Sequence, residues 1–237
     1  MPETVVLGDR QVHLYWETIH ATPQDDDLRA TLNDDELSRV DRLQSPEKRA
    51  LRVVQLARRR RILSRYLQVA PRDVIIDYDP NGRPLIPDGL YISCSYSQHA
   101  YLLAISRFPG IGVDVENMHD YREMGDVTRH LSKHDMDTLS SLSPRDVTMA
   151  SIRMWTRKEA FAKGIGTGLF HEPRDMVVPS SPDAVRWEGR PLVGADLWHL
   201  RDLEDLEEDF VREYVATVAY AIPASLESVT ISTPPLP

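Results

Sequence analysis

WTRKEAFAKGIGTGL, residues Trp155 to Leu169, is the stretch whose reading decides the rest of the chain. Just upstream, Ser143-Pro144-Arg145-Asp146 reads as a helix start, with Ser143 as N-cap, Pro144 at the first helical position and Asp146 closing a capping box. Helix formers then run without Pro or Gly to Gly164, where Gly164, Gly166 and Gly168 are expected to stop the helix. Along it Trp155, Glu159 and Lys163 fall at i, i+4 and i+8, on roughly one face. A carboxylate and an ammonium thus stand a turn apart, beside a large aromatic and ahead of a glycine loop. Alone, such a pair is also the ordinary solvated Glu–Lys contact, worth roughly a few tenths of a kcal/mol.

A second acidic cluster gives the pair more meaning. Gly112-Val113-Asp114-Val115-Glu116 alternates apolar and acidic residues as a short strand does, so both carboxylates project to one side. Two such charges repel unless something positive lies between them. Mg²⁺ suits them, because it takes a few carboxylate oxygens and completes its octahedron with water and phosphate.

GVDVE followed by WTRKEAFAKGIGTGL resembles the signature pair of the Sfp-type 4'-phosphopantetheinyl transferases, G-[IV]-D-[IV]-E and W-x-x-K-E-[AS]-x-x-K-x-x-G-x-G-L, in content, order and separation. The resemblance extends from about Leu32 to about Pro223. It implies an α/β (α+β) fold of two pseudo-symmetric halves with the active site between them. The implied reaction moves 4'-phosphopantetheine from coenzyme A to a serine of an acyl or peptidyl carrier protein and releases adenosine 3',5'-bisphosphate. Asp114, Glu116 and Glu159 would be the Mg²⁺ ligands, Glu159 or a metal-bound water the acceptor of the serine proton and Lys163 the stabiliser of phosphoryl charge; Lys158 is the lesser cofactor-binding candidate. Arg39, Arg49 and Arg52 stand about where the family holds the 3'-phosphate of coenzyme A, and Gly82-Arg83-Pro84 resembles the family's G-[KR]-P beside the nucleotide. In the family N-[ILV]-S-H-S precedes the metal strand; here it reads Ser93-Cys94-Ser95-Tyr96-Ser97, with Tyr96 in place of the phosphate-contacting histidine. Ser95 and Tyr96 complete the cofactor-binding candidates.

Composition sets the outer bounds. The chain has 237 residues, 41% apolar and 27% charged, as an ordinary globular protein does. A net charge of −9 argues against a nucleic-acid binder. Cys94 is the one cysteine, which rules out an intrachain disulfide and fits a reducing compartment. With neither a signal-like N-terminus nor an apolar membrane run, the expectation is a cytoplasmic protein without a membrane partner.

Taken in order, the chain opens with a strand over Val5 to Trp16. A capped helix begins at Asn33-Asp34-Asp35-Glu36, and a long helix runs from Ser45-Pro46 to Leu67. Arg58 to Arg61, on four consecutive positions, point in nearly all directions and read as a solvated face. Tyr91 to Ser97 and Tyr101 to Ser106 read as a strand pair, and Ser132-Lys133-His134-Asp135 caps a short helix. His119, His130 and His134 are too irregularly spaced for a metal site and read as surface histidines. Pro71-Arg72-Asp73-Val74-Ile75-Ile76 recurs as Pro173-Arg174-Asp175-Met176-Val177-Val178, each copy after a long helix opened by Ser-Pro. The expected division is therefore 1–110 for the coenzyme A side, 111–223 for the metal and catalytic motifs, and 224–237 as a loosely held tail. Duplication within one chain fits a monomer. The competing readings are a degenerate relative that binds coenzyme A or a carrier protein without turnover, with Tyr96 as its mark, and a Mg²⁺-dependent enzyme acting on another diphosphate.

Overall fold

The first strand, β1 (Gln11–Thr18), is apolar on both faces because both are covered. Val12 and Leu14 join one core and Tyr15 another. In the computed structural model, which describes residues 5–19, 26–119, 127–166, 173–177, 186–187, 190–191, 198–206, 208–221 and 229–237, two helices follow the single turn α1 (Asp26–Arg29). These are α2 (Asp34–Asp41) and the long α3 (Pro46–Leu67). Both begin where the sequence predicts. Asn33 and Glu36 form a reciprocal capping box, and the Ser45 hydroxyl accepts from the Lys48 amide at 3.2 Å, with Pro46 at the first position.

The chain then makes the small hairpin β2 (Asp77–Tyr78) and β3 (Pro84–Leu85), the antiparallel pair β4 (Tyr91–Ser97) and β5 (Ala100–Ser106), and β6 (Ile111–Asn117). Beyond it lie α4 (Lys133–Ser140), capped by Ser132 and Asp135, and α5 (Pro144–Ile165). Three short strands follow, β7 (Met176–Val177), β8 (Arg186–Trp187) and β9 (Arg190–Pro191), then β10 (Trp198–Asp202), α6 (Glu208–Glu213), β11 (Tyr214–Ala221) and β12 (Thr230–Ser232). This is the mixed α/β architecture that the sequence predicts. No helix among the described residues is long and apolar enough to cross a membrane.

The two main sheets have orders β12-β1-β5-β4 and β10-β11-β6. One core lies between α3 and the first sheet, with Ile62, Leu63, Tyr101, Leu103 and Ile105 at its centre. A second joins the sheets, bringing Val12, Leu14, Leu102 and Ala104 against Val113, Val115, Ala216 and Val218. Where β4 meets β6, three serines stitch the two together. Ser93 Oγ accepts from the Val113 amide (3.0 Å), Ser95 Oγ donates to Asp114 (2.8 Å), and Ser97 Oγ accepts from the Asn117 amide (2.9 Å). The free edge of β6 is thus satisfied by side chains rather than by another strand.

Four expectations change. The Arg58–Arg61 run is not a solvated face: Arg58 pairs with Glu17 at 2.9 Å, and Arg59 and Arg60 both reach the buried Glu36, at 3.1 and 2.5 Å. Arg60, fully enclosed, also donates to the carbonyls of Pro71, Arg72 and Val74. A long guanidinium stem lets consecutive helical positions reach buried acceptors on different neighbours. Gly164 does not stop α5; the helix runs to Ile165 and Gly166, at φ 78°, caps it, while Gly168 lies outside the described residues. The Ser143 hydroxyl donates to Asp146 Oδ2 at 2.7 Å instead of forming a capping box. Finally, the segment read as a loosely held tail supplies β12, which pairs in parallel with β1, and Arg65 and Arg58 donate to the carbonyls of Pro235 and Pro237.

Candidate active site

Two glycines decide how close α5 comes to β6. A Cβ on Gly112 would stand 1.9 Å from the Ala160 carbonyl oxygen and 2.5 Å from the Gly164 nitrogen. A Cβ on Gly164 would meet the Trp198 ring at 2.5 Å. Only with hydrogen at both positions can the helix backbone lie directly on the strand. That approach brings the last two turns of α5, carrying Glu159 and Lys163, over Asp114.

Lys163 Nζ lies 2.6 Å from Asp114 Oδ1 and donates to Ser95 Oγ at 3.0 Å, while Ser95 Oγ donates to the same carboxylate oxygen. Asp114 Oδ2 is buried without a hydrogen-bond partner. Burial pushes the Asp114 carboxyl up, against the opposing pull of Lys163 and Ser95. Burial also pushes the Glu159 carboxyl up to about 7, helped by the Asp114 charge and opposed by Lys163. For Lys163 burial pulls down, but Asp114 and Glu159 outweigh it and the ammonium is raised. Two carboxylates and one ammonium therefore share a pocket with a deficit of positive charge. That is the electrostatic signature of a site for a hard cation, with the unpartnered Oδ2 as one waiting ligand.

Glu116, the third metal candidate, stands two residues along β6 from Asp114, with both carboxylate oxygens in hydrogen bonds. Its Oε1 accepts from Trp155 Nε1 at 3.1 Å and its Oε2 from Ser97 Oγ at 3.3 Å. Among the described residues no group of three or more His, Cys, Asp or Glu side chains stands close enough to hold a metal. A carboxylate set of Asp114 and Glu159, with Glu116 as the remaining candidate, suits Mg²⁺, which accepts a few carboxylates when phosphate and water supply the rest. His119 and His134 are exposed, and the His130 ring packs on Trp155 with centroids 5.0 Å apart.

From Lys163 a cavity of about 310 Å³ opens toward α3. Of the sequence candidates, Arg39, Arg52, Gly82, Arg83, Pro84, Tyr96 and Lys163 line it. The turn at Gly82-Arg83 is locked by Asp79 Oδ1, which accepts from the amides of Asn81 and Arg83, both at 2.9 Å. Asn81 Nδ2 donates to the Gly166 carbonyl at 3.0 Å and so fastens this turn to the end of α5. Arg39 lies over the Tyr78 ring and Arg52 over the Tyr96 ring, at 5.8 and 5.2 Å. Ser95 sits behind this wall, between Asp114 and Lys163.

Tyr96 obeys strand alternation: it faces α3 and Tyr101, opposite to its serine neighbours. Its hydroxyl is buried, which pushes the phenol well above its ordinary value. What Tyr96 presents to the cavity is therefore its ring and the guanidinium resting on it.

Two candidates are not brought into the site. Arg49 turns away to donate to the Leu43 carbonyl at 3.0 Å, at the end of α2. Lys158, 1% exposed, is buried on another side of α5 against Asp135 and the Met176 carbonyl, each at 2.6 Å. Sequence reasoning missed Arg59, which lines the cavity, donates to Glu36 and Tyr78 Oη, and keeps a buried Nε without a partner. No sequence signal marks it, because its burial follows from that of Glu36, 23 residues away in sequence.

Residues 110–219 match the model of the 4'-phosphopantetheinyl transferase superfamily. The chain is 32% identical to the 4'-phosphopantetheinyl transferase HetI of Nostoc over 85% of its length and 86% of the relative's. It is 27% identical to a putative 4'-phosphopantetheinyl transferase of Synechocystis, over 60% of this chain and 59% of the other. With the 4'-phosphopantetheinyl transferase ffp of Bacillus subtilis it shares 30% identity over 46% and 49%.

Proposed function

The chain belongs to the 4'-phosphopantetheinyl transferase superfamily, and on that premise we propose that it is an Sfp-type enzyme that transfers 4'-phosphopantetheine from coenzyme A to a serine of an acyl or peptidyl carrier protein. The observation that carries this reading is the Asp114–Lys163–Ser95 cluster at the inner end of an arginine-lined cavity, with Glu159 one turn of α5 away. In this reading Arg39, Arg52, Arg59 and Arg83 hold the phosphates and nucleotide of coenzyme A. Arg59 and Arg83 each carry a buried nitrogen without a partner, so an anion there gains hydrogen bonds at little reorganisation.

Lys163 reaches the inner end of the cavity and stabilises charge developing on the phosphoryl oxygens. Glu159 is the candidate base for the proton of the attacking serine hydroxyl. Asp114 and Glu159 would hold Mg²⁺, which when bound supplies charge neutralisation and alignment to the pyrophosphate. Ser95 orients both Asp114 and Lys163, and Trp155 and Ser97 fix Glu116 alongside. Adenosine 3',5'-bisphosphate leaves. We further propose that residues 1–110 and 111–223 are pseudo-symmetric halves, that the protein works as a cytoplasmic monomer, and that its carriers belong to fatty acid, polyketide or nonribosomal peptide assembly.

The test is to incubate the protein with coenzyme A, Mg²⁺ and an apo carrier protein and to weigh the carrier. The expected result is a gain of one phosphopantetheine per carrier that a chelator abolishes. An unchanged carrier, with coenzyme A bound, would instead identify a non-catalytic binder.

A further inference from the structure

We propose that Lys158 is a positioning residue, not a cofactor ligand: it latches α5 from the side away from the substrate and so sets the angle at which Glu159 meets Asp114. The inference rests on the transferase reading above. Lys158 and Glu159 are adjacent on α5, so their side chains leave the helix about 100° apart. Glu159 goes toward β6, while Lys158 goes into a closed polar pocket between α4 and β7. There its ammonium lies 2.6 Å from Asp135 Oδ2 and donates to the Met176 carbonyl at 2.6 Å, with both charged side chains 1% exposed. Asp135 Oδ2 also accepts from the Ser132 amide at 2.8 Å as the acid of the capping box that starts α4. One ammonium therefore ties three elements together: the first turn of α4, α5 and the start of β7. Rotation of α5 about its own axis is blocked at this point, and that same rotation would swing Glu159 off Asp114.

A second copy of the device supports the assignment. Counted from the proline that opens each long helix, Arg60 of α3 stands at the same place as Lys158 of α5. Arg60 pairs with Glu36, the capping-box acid of the short helix before it, and donates to the Val74 carbonyl just after Pro71-Arg72-Asp73. Lys158 pairs with the capping-box acid of α4 and donates to the Met176 carbonyl just after Pro173-Arg174-Asp175. The position after Arg60 holds Arg61, which cannot do the work of Glu159. The latch is thus present where no carboxylate chemistry follows, so its cation serves the scaffold.

The experiment uses Lys158→Met combined with Asp135→Asn, which removes both charges and leaves neither buried alone. Lys158→Arg is studied beside it, since an arginine can repeat the contacts of Arg60. We expect the folded double variant to lose roughly ten- to a hundredfold in kcat while the KM for coenzyme A stays within about twofold, as small misplacements of a reacting group do. Lys158→Arg is expected to keep kcat within about threefold, less than one decade of the misplacement cost. A folded double variant with wild-type kcat, or a loss that falls wholly on the KM for coenzyme A, overturns the proposal. If the double variant does not fold, Lys158→Arg decides: a folded protein with a large kcat loss overturns it, and near-wild-type turnover sustains it. Wild-type protein that transfers nothing would sink the transferase reading instead.

Discussion

The region around α3 and the region around α5 are built alike and end differently. Each has a short helix with a capping-box acid, then a 22-residue helix opened by Ser-Pro, then a Pro-Arg-Asp turn. In each, a sheet is ordered with the region's first long strand beside its last, β1-β5-β4 and β6-β11-β10. They diverge at the last turn of the long helix. Tyr66 and Gly164 stand at the same place from the opening proline. Tyr66 fills the gap between helix and strand, with its hydroxyl 2.6 Å from both His13 Nδ1 and Tyr15 Oη. Gly164 leaves that gap closed by backbone contact, and the strand opposite offers Asp114 to Lys163. One scaffold therefore gives a neutral, plugged joint on one side and a charged, cavity-facing joint on the other.

The strongest way to break this comparison is to remove charge from one joint and a hydroxyl from the other. Asp114→Asn should cost roughly 10²–10³-fold in transfer rate, the scale of a lost electrostatic stabiliser. Tyr15→Phe, at the corresponding contact with the helix, should cost about 1 kcal/mol of stability and leave transfer unchanged; rate assays with urea titrations would reveal equal effects. Next, Gly112→Ala should force α5 off β6, destabilising the fold by about 1–3 kcal/mol and depressing kcat, measured by thermal melts and turnover. Retained activity and stability would show that the close approach is dispensable.

Arg52→Ala should raise the KM for coenzyme A roughly ten- to a hundredfold, from loss of a charge-assisted contact of about 1.5–3 kcal/mol, while Arg49→Ala should not. A smaller effect concerns Glu159 in chelator-treated protein. Its carboxyl is raised from 4.5 to about 7 by burial, so its neutral form suits the fold. That contribution is complete below the unfolded value and is lost as pH rises through about 7. Glu159→Gln should therefore melt a few degrees above wild type near pH 8, about 2–4 °C per kcal/mol, and level with it near pH 4; Mg²⁺ should narrow the gap. The smallest effect is expected for Tyr96→Phe, whose KM for coenzyme A should stay within about twofold from pH 6 to 9, because a neutral hydroxyl without a hydrogen-bond partner has no charge-assisted bond to lose. A pH-dependent loss in that variant would put the hydroxyl on a phosphate.

What was legible in the sequence was local or strongly patterned. The bounds of α3, the boxes at Asn33 and Ser132 and the acidic strand follow from caps and alternation, whose causes lie within a few residues. Distant demands were not legible. Arg59 and Arg60 are buried because Glu36 is, and Lys158 because Asp135 is. Gly164 looks like a helix stop until the strand glycine facing it is known, since propensity cannot report a neighbour 52 residues away in sequence (164 − 112). Glu116 and Glu159 both belong near Asp114 by pattern; the indole of Trp155 donating to Glu116 was not legible, because it depends on how α5 lies on β6.

The return of the chain in β12 has a consequence for how the protein comes apart. The polypeptide builds the strands of the first sheet, crosses to β6, β10 and β11, and comes back to pair Gln11–His13 with Thr230–Ser232. The first sheet is thus completed by the last segment of the described chain, and Arg58 and Arg65 hold its carbonyls. Neither sheet can melt without either releasing that clasp or exposing the core they share. Denaturation is accordingly expected as a single cooperative transition, seen alike by tryptophans of either sheet, rather than as two successive meltings.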